Sequence, residues 1–211
     1  MIAKIIPCEQ YDDDWWDARK GVFTASIASK VITPTGKMSR QYRDELGRMI
    51  AEHMEWQDQE EQFSTQWMDR GSEMEDEALA WFAVETNLPV ERVGFIKHDT
   101  QPFGCSPDAI YFHGALAELI IPIEIKCPKP STHIKWLLDG GLPDAHKAQV
   151  HFQMALTGAP FAYFMSYHPE MQPLLVKVDA DDYTENLIHY LDKVADEFGD
   201  AFELITGEEW K

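Results

Sequence analysis

The chain has 211 residues, 45% of them apolar, which is enough for one ordinary domain with a substantial core. Its formal net charge of −19 argues against a protein that coats nucleic acid, because non-specific phosphate affinity comes from Lys and Arg. Three scattered cysteines, Cys8, Cys105 and Cys127, are too few for a disulfide framework or a four-cysteine cluster, and no run of about eighteen apolar residues marks a membrane span.

The expected organisation is a single domain over residues 1–211, soluble and intracellular, with no signal-peptide core at its start. Residues 12–20 read as a helix, and Thr24, Ala25 and Ser26 offer hydroxyl caps for a short helix through Val31. A turn at residues 33–36 follows. Apolar residues recur at helical spacing over residues 39–56 and 64–85, as in Leu46, Met49 and Ile50, or Ala78, Trp81 and Phe82, so the N-terminal half is mainly helical. Residues 92–96, 108–112 and 120–127 are rich in β-formers and bounded by Gly and Pro, which predicts consecutive strands. Beyond Pro128 and Pro130, residues 144–156 predict a helix closed by Gly158. Residues 161–167 and 174–178 predict strands, and residues 181–205 a last helix. The fold class expected is α/β (α+β), a central mixed sheet flanked by helices.

The chemistry concentrates in Ser106-Pro107-Asp108 and Ile123-Glu124-Ile125-Lys126. Residues two apart on a strand share a face, so Glu124 and Lys126 project together while Ile123, Ile125 and Cys127 face the other way. A hairpin between the two strands brings Asp108 close to Glu124, and two carboxylates so placed repel unless a cation joins them. Ligation by Asp108, Glu124 and the Ile125 carbonyl is all oxygen and suits Mg²⁺ or Mn²⁺. Such an ion activates water for phosphodiester cleavage, and Lys126 supplies a point charge for that water or the transition state. A surface ion pair on a sheet is the plainer reading of an isolated E-x-K triplet, but S-P-D before it and C-P after it favour the metal site.

Glu75 sits on the apolar stripe with Ala78, Leu79 and Phe82, where it is either a further metal ligand or part of a capping box with Ser72. Arg19 and Ser26 fit an anion site at a helix start, or a helix cap beside a surface arginine. Gln149, taken alone, is a polar residue on a helix. His133, His146 and His151 have no metal-ligand spacing and read as surface or core histidines.

These motifs resemble the lambda-exonuclease-like, YqaJ-type viral recombinases, a branch of the PD-(D/E)xK nucleases. The resemblance rests on W-x-x-x-R-x-G-x-x-T-A-S at residues 15–26, G-x-x-x-E-x-x-A at 71–78, S-P-D at 106–108, E-I-K-C-P at 124–128 and A-Q-V-x-x-Q-M at 148–154. The closing Gly207-Glu208-Glu209-Trp210 is similar to the family's tail. The resemblance implies that Asp108, Glu124 and Glu75 hold catalytic metal and that Lys126 serves the attacking water. It implies that Arg19, Ser26, Ser106 and Gln149 bind a 5′ phosphate. It also implies digestion of one strand of linear double-stranded DNA from the 5′ end, leaving 3′ overhangs for a single-strand annealing protein. A ring-shaped homotrimer encoded by a phage or prophage, acting in the bacterial cytoplasm, completes the expectation. Such a ring eases the charge paradox, since only its channel need be basic. Residues 113–122 are longer than a compact hairpin needs, with Leu116 and residues 119–121 as a candidate subunit contact. The competing readings are a restriction- or repair-type endonuclease of the same superfamily and a non-catalytic acidic DNA mimic or scaffold. Lys126 speaks against the mimic, which has no use for a lysine beside its carboxylates.

Overall fold

The computed structural model describes residues 3–56, 66–114 and 119–210, and builds two four-stranded sheets rather than the one small sheet expected. In the first sheet, β1 (Ala3–Ile6) and β2 (Phe23–Thr24) flank β3 (Phe95–His98) and β4 (Phe103–Cys105), in the order β1-β3-β4-β2. β1 and β4 run antiparallel to β3, while β2 runs parallel to β4 with Thr24 opposite Gly104. The second sheet orders β5 (Ala109–His113), β6 (Leu119–Lys126), β7 (Phe161–Ser166) and β8 (Leu174–Asp179) consecutively. β5 pairs antiparallel with β6, and β6 pairs parallel with β7, setting Lys126 opposite Ser166.

A parallel neighbour requires a crossover, here made by α4 (Pro130–Asp139) and α5 (Asp144–Thr157). α5 is the central element of the core. Its Ala148, Phe152, Ala155 and Leu156 join Phe23, Phe103 and Leu187 in one apolar cluster, and its Val150 and Met154 join Ile121, Ile123 and Phe164 in a second. A helix apolar nearly all round is one packed on more than one side. α6 (Asp182–Thr206) closes the first cluster with Leu187, Leu191, Val194, Phe198 and Phe202, a stripe at helical spacing.

The remaining helices are α1 (Asp13–Arg19), capped by the Asp12 carboxylate on the Trp15 N–H, α2 (Tyr42–His53) and α3 (Gln66–Thr86). Ala78 and Phe82 of α3 pack in the cluster of Ile121, Ile123 and Ile125. α3 runs through Ser72, so no helix starts there and the capping-box reading of Glu75 falls. The expected helix start at residue 64 and Leu116 lie outside the described residues. Residues 25–30 form a single 3₁₀ helix (Ala25–Lys30), preceded by Thr24 without a side-chain cap, so Ser26 lies within the helix and does not cap it.

β1, β2, β4 and α4 go beyond the sequence reading. β2 and β4 are two and three residues long, too short for an alternating pattern to register. α4 opens on Pro130, which marks a helix start because the first helical N–H has no partner to lose, and ends at Gly140 with φ +70°.

Candidate active site

Asp108 sits just before β5, where its N–H donates to the Ile123 carbonyl at 3.1 Å. Its carboxylate accepts from the Ile125 N–H at 2.5 Å. The β6 edge that carries Ile123 and Ile125 faces β5, so the Ile125 carbonyl lies on the same edge as the Asp108 carboxylate. The residue preceding Asp108 is Pro107, which has no N–H to offer that carbonyl.

Glu124 projects toward α5 and is buried at 1% exposure. Its Oε1 accepts from Gln149 Nε2 at 2.5 Å and is ion-paired with Lys126 Nζ, while its Oε2 accepts from Gln153 Nε2 at 2.5 Å. The expectation that Glu124 and Lys126 share one strand face is met, and here that face is buried under α5 instead of open.

The electrostatics follow from this crowding. Burial, and then the charge of Glu124, pushes the Asp108 carboxyl up to about 8, against the pull of Lys126 and the Ile125 N–H. Burial works against the Lys126 ammonium, but Glu124 and Asp108 outweigh it and hold its pKa above the usual lysine range. Glu75, half-buried on α3, is also raised by burial, with Glu124 adding to the rise and Lys126 opposing it. Glu75 therefore lies within electrostatic reach of Asp108, Glu124 and Lys126.

A second polar cluster borders the first. Arg19 lies over the Trp15 ring, 4.2 Å from its centroid, and its Nη1 donates to Ser106 Oγ at 3.4 Å. Trp15 Nε1 donates to the same hydroxyl at 2.8 Å and to the Gly94 carbonyl at 3.1 Å. Burial lowers the Arg19 pKa. Because β2 and β4 are parallel with Thr24 opposite Gly104, Ser26 and Ser106 leave the sheet at the same end, two residues beyond that pair. Ser26 is exposed and its hydroxyl meets that of Thr24 at 3.0 Å. Arg19 and Ser106 are thus in contact, and Gln149 is turned to Glu124 instead of to them.

The YqaJ-like viral recombinase domain family matches residues 14–160, well over half of the chain and every element of this site. The protein belongs to that family. Among solved structures, an alkaline exonuclease, LHK-Exo, from Laribacter hongkongensis superposes with a TM-score of 0.76 at 27% identity, covering 93% of this chain and 97% of that one. The same enzyme in complex with dAMP gives a TM-score of 0.69 at 26% identity, over 93% and 98% of the two chains. A phage-related exonuclease from Haemophilus somnus 129PT shares the fold, with a TM-score of 0.56 at 14% identity, over 88% and 96%. A comparison with curated protein sequences finds no match.

In this YqaJ-like chain, two residues that sequence reasoning did not single out join the candidate site. Gln153 is fully buried one helical turn from Gln149, and that i, i+4 spacing on α5 was the available signal. Trp15 supports Arg19 and Ser106 together. The donor set of Asp108, Glu124, the Ile125 carbonyl and nearby Glu75 is all oxygen, which fits Mg²⁺ or Mn²⁺. Among the described residues, no three His, Cys, Asp or Glu side chains form a ready-made metal cage. His133 and His151 are buried against the hydroxyls of Ser166 and Thr184, each at 2.7 Å, and His146 packs on Trp136 and Phe164. Among the described residues, no helix is long and apolar enough to cross a membrane.

Proposed function

We propose that this protein is an Mg²⁺-dependent exonuclease that degrades one strand of linear double-stranded DNA from its 5′ end and leaves a 3′ single-stranded overhang. The observation that carries the reading is the meeting of Asp108, Glu124 and Lys126 where two adjoining strands end. Two carboxylates, one buried and one half-buried, share a single ammonium, so one negative charge is left over, an arrangement that suits a cation site. Membership of the recombinase family and the likeness to an alkaline exonuclease support DNA as the substrate.

Asp108, Glu124 and the Ile125 carbonyl would hold the ion, and Glu75, within electrostatic reach, would assist them. Mg²⁺, when bound, lowers the pKa of water and neutralises charge on the phosphate. Lys126, kept protonated by its acidic neighbours, orients the attacking water and stabilises the developing negative charge. Gln149 and Gln153 fix the Glu124 carboxylate. Arg19, with Ser106 and Ser26, receives the terminal 5′ phosphate and sets the register of the cut. By the pattern of the family, the working form is a ring-shaped homotrimer in the cytoplasm of a phage's bacterial host, and its product passes to a single-strand annealing protein.

The test is digestion of linear duplex labelled separately at its 5′ and 3′ ends, with Mg²⁺ or with EDTA, beside nicked and closed circles. Mg²⁺-dependent loss of the 5′ label with circles spared is the expected result. Cutting of closed circles overturns the exonuclease in favour of an endonuclease, and no cutting overturns catalysis altogether.

A further inference from the structure

The first sheet borders a cleft that the reading above does not use. Its volume is about 700 Å³, and Lys4, Lys20, Lys97, His53 and Trp210 line it. The antiparallel register sets Lys4 directly opposite Lys97, so two ammonium groups share one face of the ladder. Like charges so placed destabilise a sheet unless an anion joins them. Lys4 has a partner in Asp99 at 3.7 Å, and Lys20 one in Asp17 at 2.6 Å. Lys97 is half-buried and, among the described residues, has no carboxylate within ion-pair distance. Asp14 and Asp99 line the cleft and Asp17 holds Lys20 from beside it, so Lys97 is the lysine of the lining left without an ion-pair partner among the described residues.

The sheet also fixes where this cleft lies. β3 pairs with β4 so that Ile96 faces Cys105 and Lys97 faces Gly104. Lys97 therefore lies toward the start of β4, away from Ser106 and Asp108 at its other end. Phe95, two residues before Lys97 on the same face, lies 5.9 Å from the Arg19 guanidinium. Its ring spreads over Gly104, where an added Cβ would come within 2.1 Å of it. Along this face Ser106 and Arg19 come first and then Lys97 with Lys4 beside it, and Lys97 is about 7 Å beyond Phe95, the spacing of alternate residues on a strand.

A groove that combines ammonium groups with the exposed His53 ring and the half-exposed Trp210 ring has the chemistry of single-stranded nucleic acid binding, phosphates on the lysines and bases against the aromatic side chains. We infer that this cleft binds the phosphates of a single-stranded 5′ DNA extension that runs past the Arg19 site, with Trp210 and His53 as stacking surfaces. The inference rests on the reading of Arg19 as the group that receives phosphate at the 5′ end. With an extension in the cleft, an internal phosphate occupies the Arg19 site.

The experiment is fluorescence anisotropy in EDTA, on a blunt duplex and on one with a 5′ tail of about ten nucleotides. The wild-type protein is expected to bind the tailed duplex about tenfold more tightly. Lys97→Glu and Lys4→Glu should each remove that preference while leaving blunt-end affinity in place. The salt slope on tailed DNA should fall by about 0.7 for each phosphate that the variant no longer neutralises. Lys97→Gln, which adds no new charge, serves as the second variant if a reversal melts early by circular dichroism. Equal wild-type affinity for the two duplexes, or equal loss on both in the variants, overturns the inference. The two readings separate cleanly. Digestion of blunt ends from 5′ without any preference for tails sinks the cleft alone, whereas a tail preference abolished by Lys97→Glu in a protein that cuts no DNA sinks the exonuclease alone.

Discussion

Replacing Asp108 with asparagine tests the physical basis of the candidate metal site without any substrate. The ordinary carboxyl value is 3.8, and in the folded, metal-free protein burial and Glu124 push Asp108 up to about 8. A carboxyl raised in this way contributes stability that is fully present below 3.8 and is lost as pH rises through 8, because the unfolded chain gives up the proton first. Each pH unit costs about 1.4 kcal/mol, so the whole window amounts to on the order of 5 kcal/mol. Solvent reaching this half-buried group trims that to about 3 kcal/mol, which is about 10 °C in melting temperature for a chain of this size. The asparagine side chain keeps an oxygen that accepts from the Ile125 N–H and carries no charge. In EDTA, Asp108→Asn should match the wild type at pH 4 and melt about 10 °C higher at pH 8. Mg²⁺ should raise the wild-type melting temperature at pH 8 and leave the variant nearly unmoved. The assay is a calorimetric pH series with and without Mg²⁺. Equal melting of the two proteins at pH 8 in EDTA would refute the cost of ionising Asp108 in this site, and with it the need for a cation here.

Three further outcomes follow from the same geometry. Lys126→Ala should slow cleavage by about 10³-fold while DNA affinity measured in Ca²⁺ survives, and retention of full rate in a single-turnover assay would remove Lys126 from the chemistry. Arg19→Ala should erase the preference for 5′-phosphorylated over 5′-hydroxyl ends, read as a ratio of initial rates, and equal loss on both ends would end the phosphate assignment. Gln153→Leu should weaken Mn²⁺ binding, followed by electron paramagnetic resonance, by about 10-fold with less effect on the rate at saturating metal, since Gln153 touches Glu124 and not the substrate. Unchanged Mn²⁺ affinity would make Gln153 a mere packing residue.

The strands of the candidate site are more readily legible in the sequence than the full architecture. Asp108, Glu124 and Lys126 were legible because a period of two places side chains by arithmetic, and Pro107 and Pro128 bracket the pieces. The long helices α3, α5 and α6 were legible from apolar spacing. β2 and β4 escaped notice because two- and three-residue strands are made by their neighbours and not by their own propensity. Ser26 was misplaced as a cap because a 3₁₀ turn and the first turn of an α-helix begin alike in sequence. The partner of Gln149 is a tertiary fact. Nothing along residues 148–154 says that β6 and not Arg19 lies opposite its amide.

That partner also explains how two carboxylates in one pocket come to differ. Glu124 is surrounded by donors: two amide groups from α5 and the Lys126 ammonium, all tied to a side chain that solvent barely reaches. Asp108 has a single backbone N–H for its side chain, from Ile125, and takes the full effect of its neighbour's charge. The pair is therefore asymmetric. Glu124 is held in place by its donors, while Asp108, raised by burial and by Glu124, is the group a cation would relieve. Gln149 and Gln153 hold Glu124 from the helix side and leave the Asp108 edge, with the Ile125 carbonyl, as the side open to a ligand. In a chain with a net charge of −19, such local arrangement matters more than the sum: on the proposed function, DNA would meet only the few cations of Arg19, Lys126 and the lysine cleft.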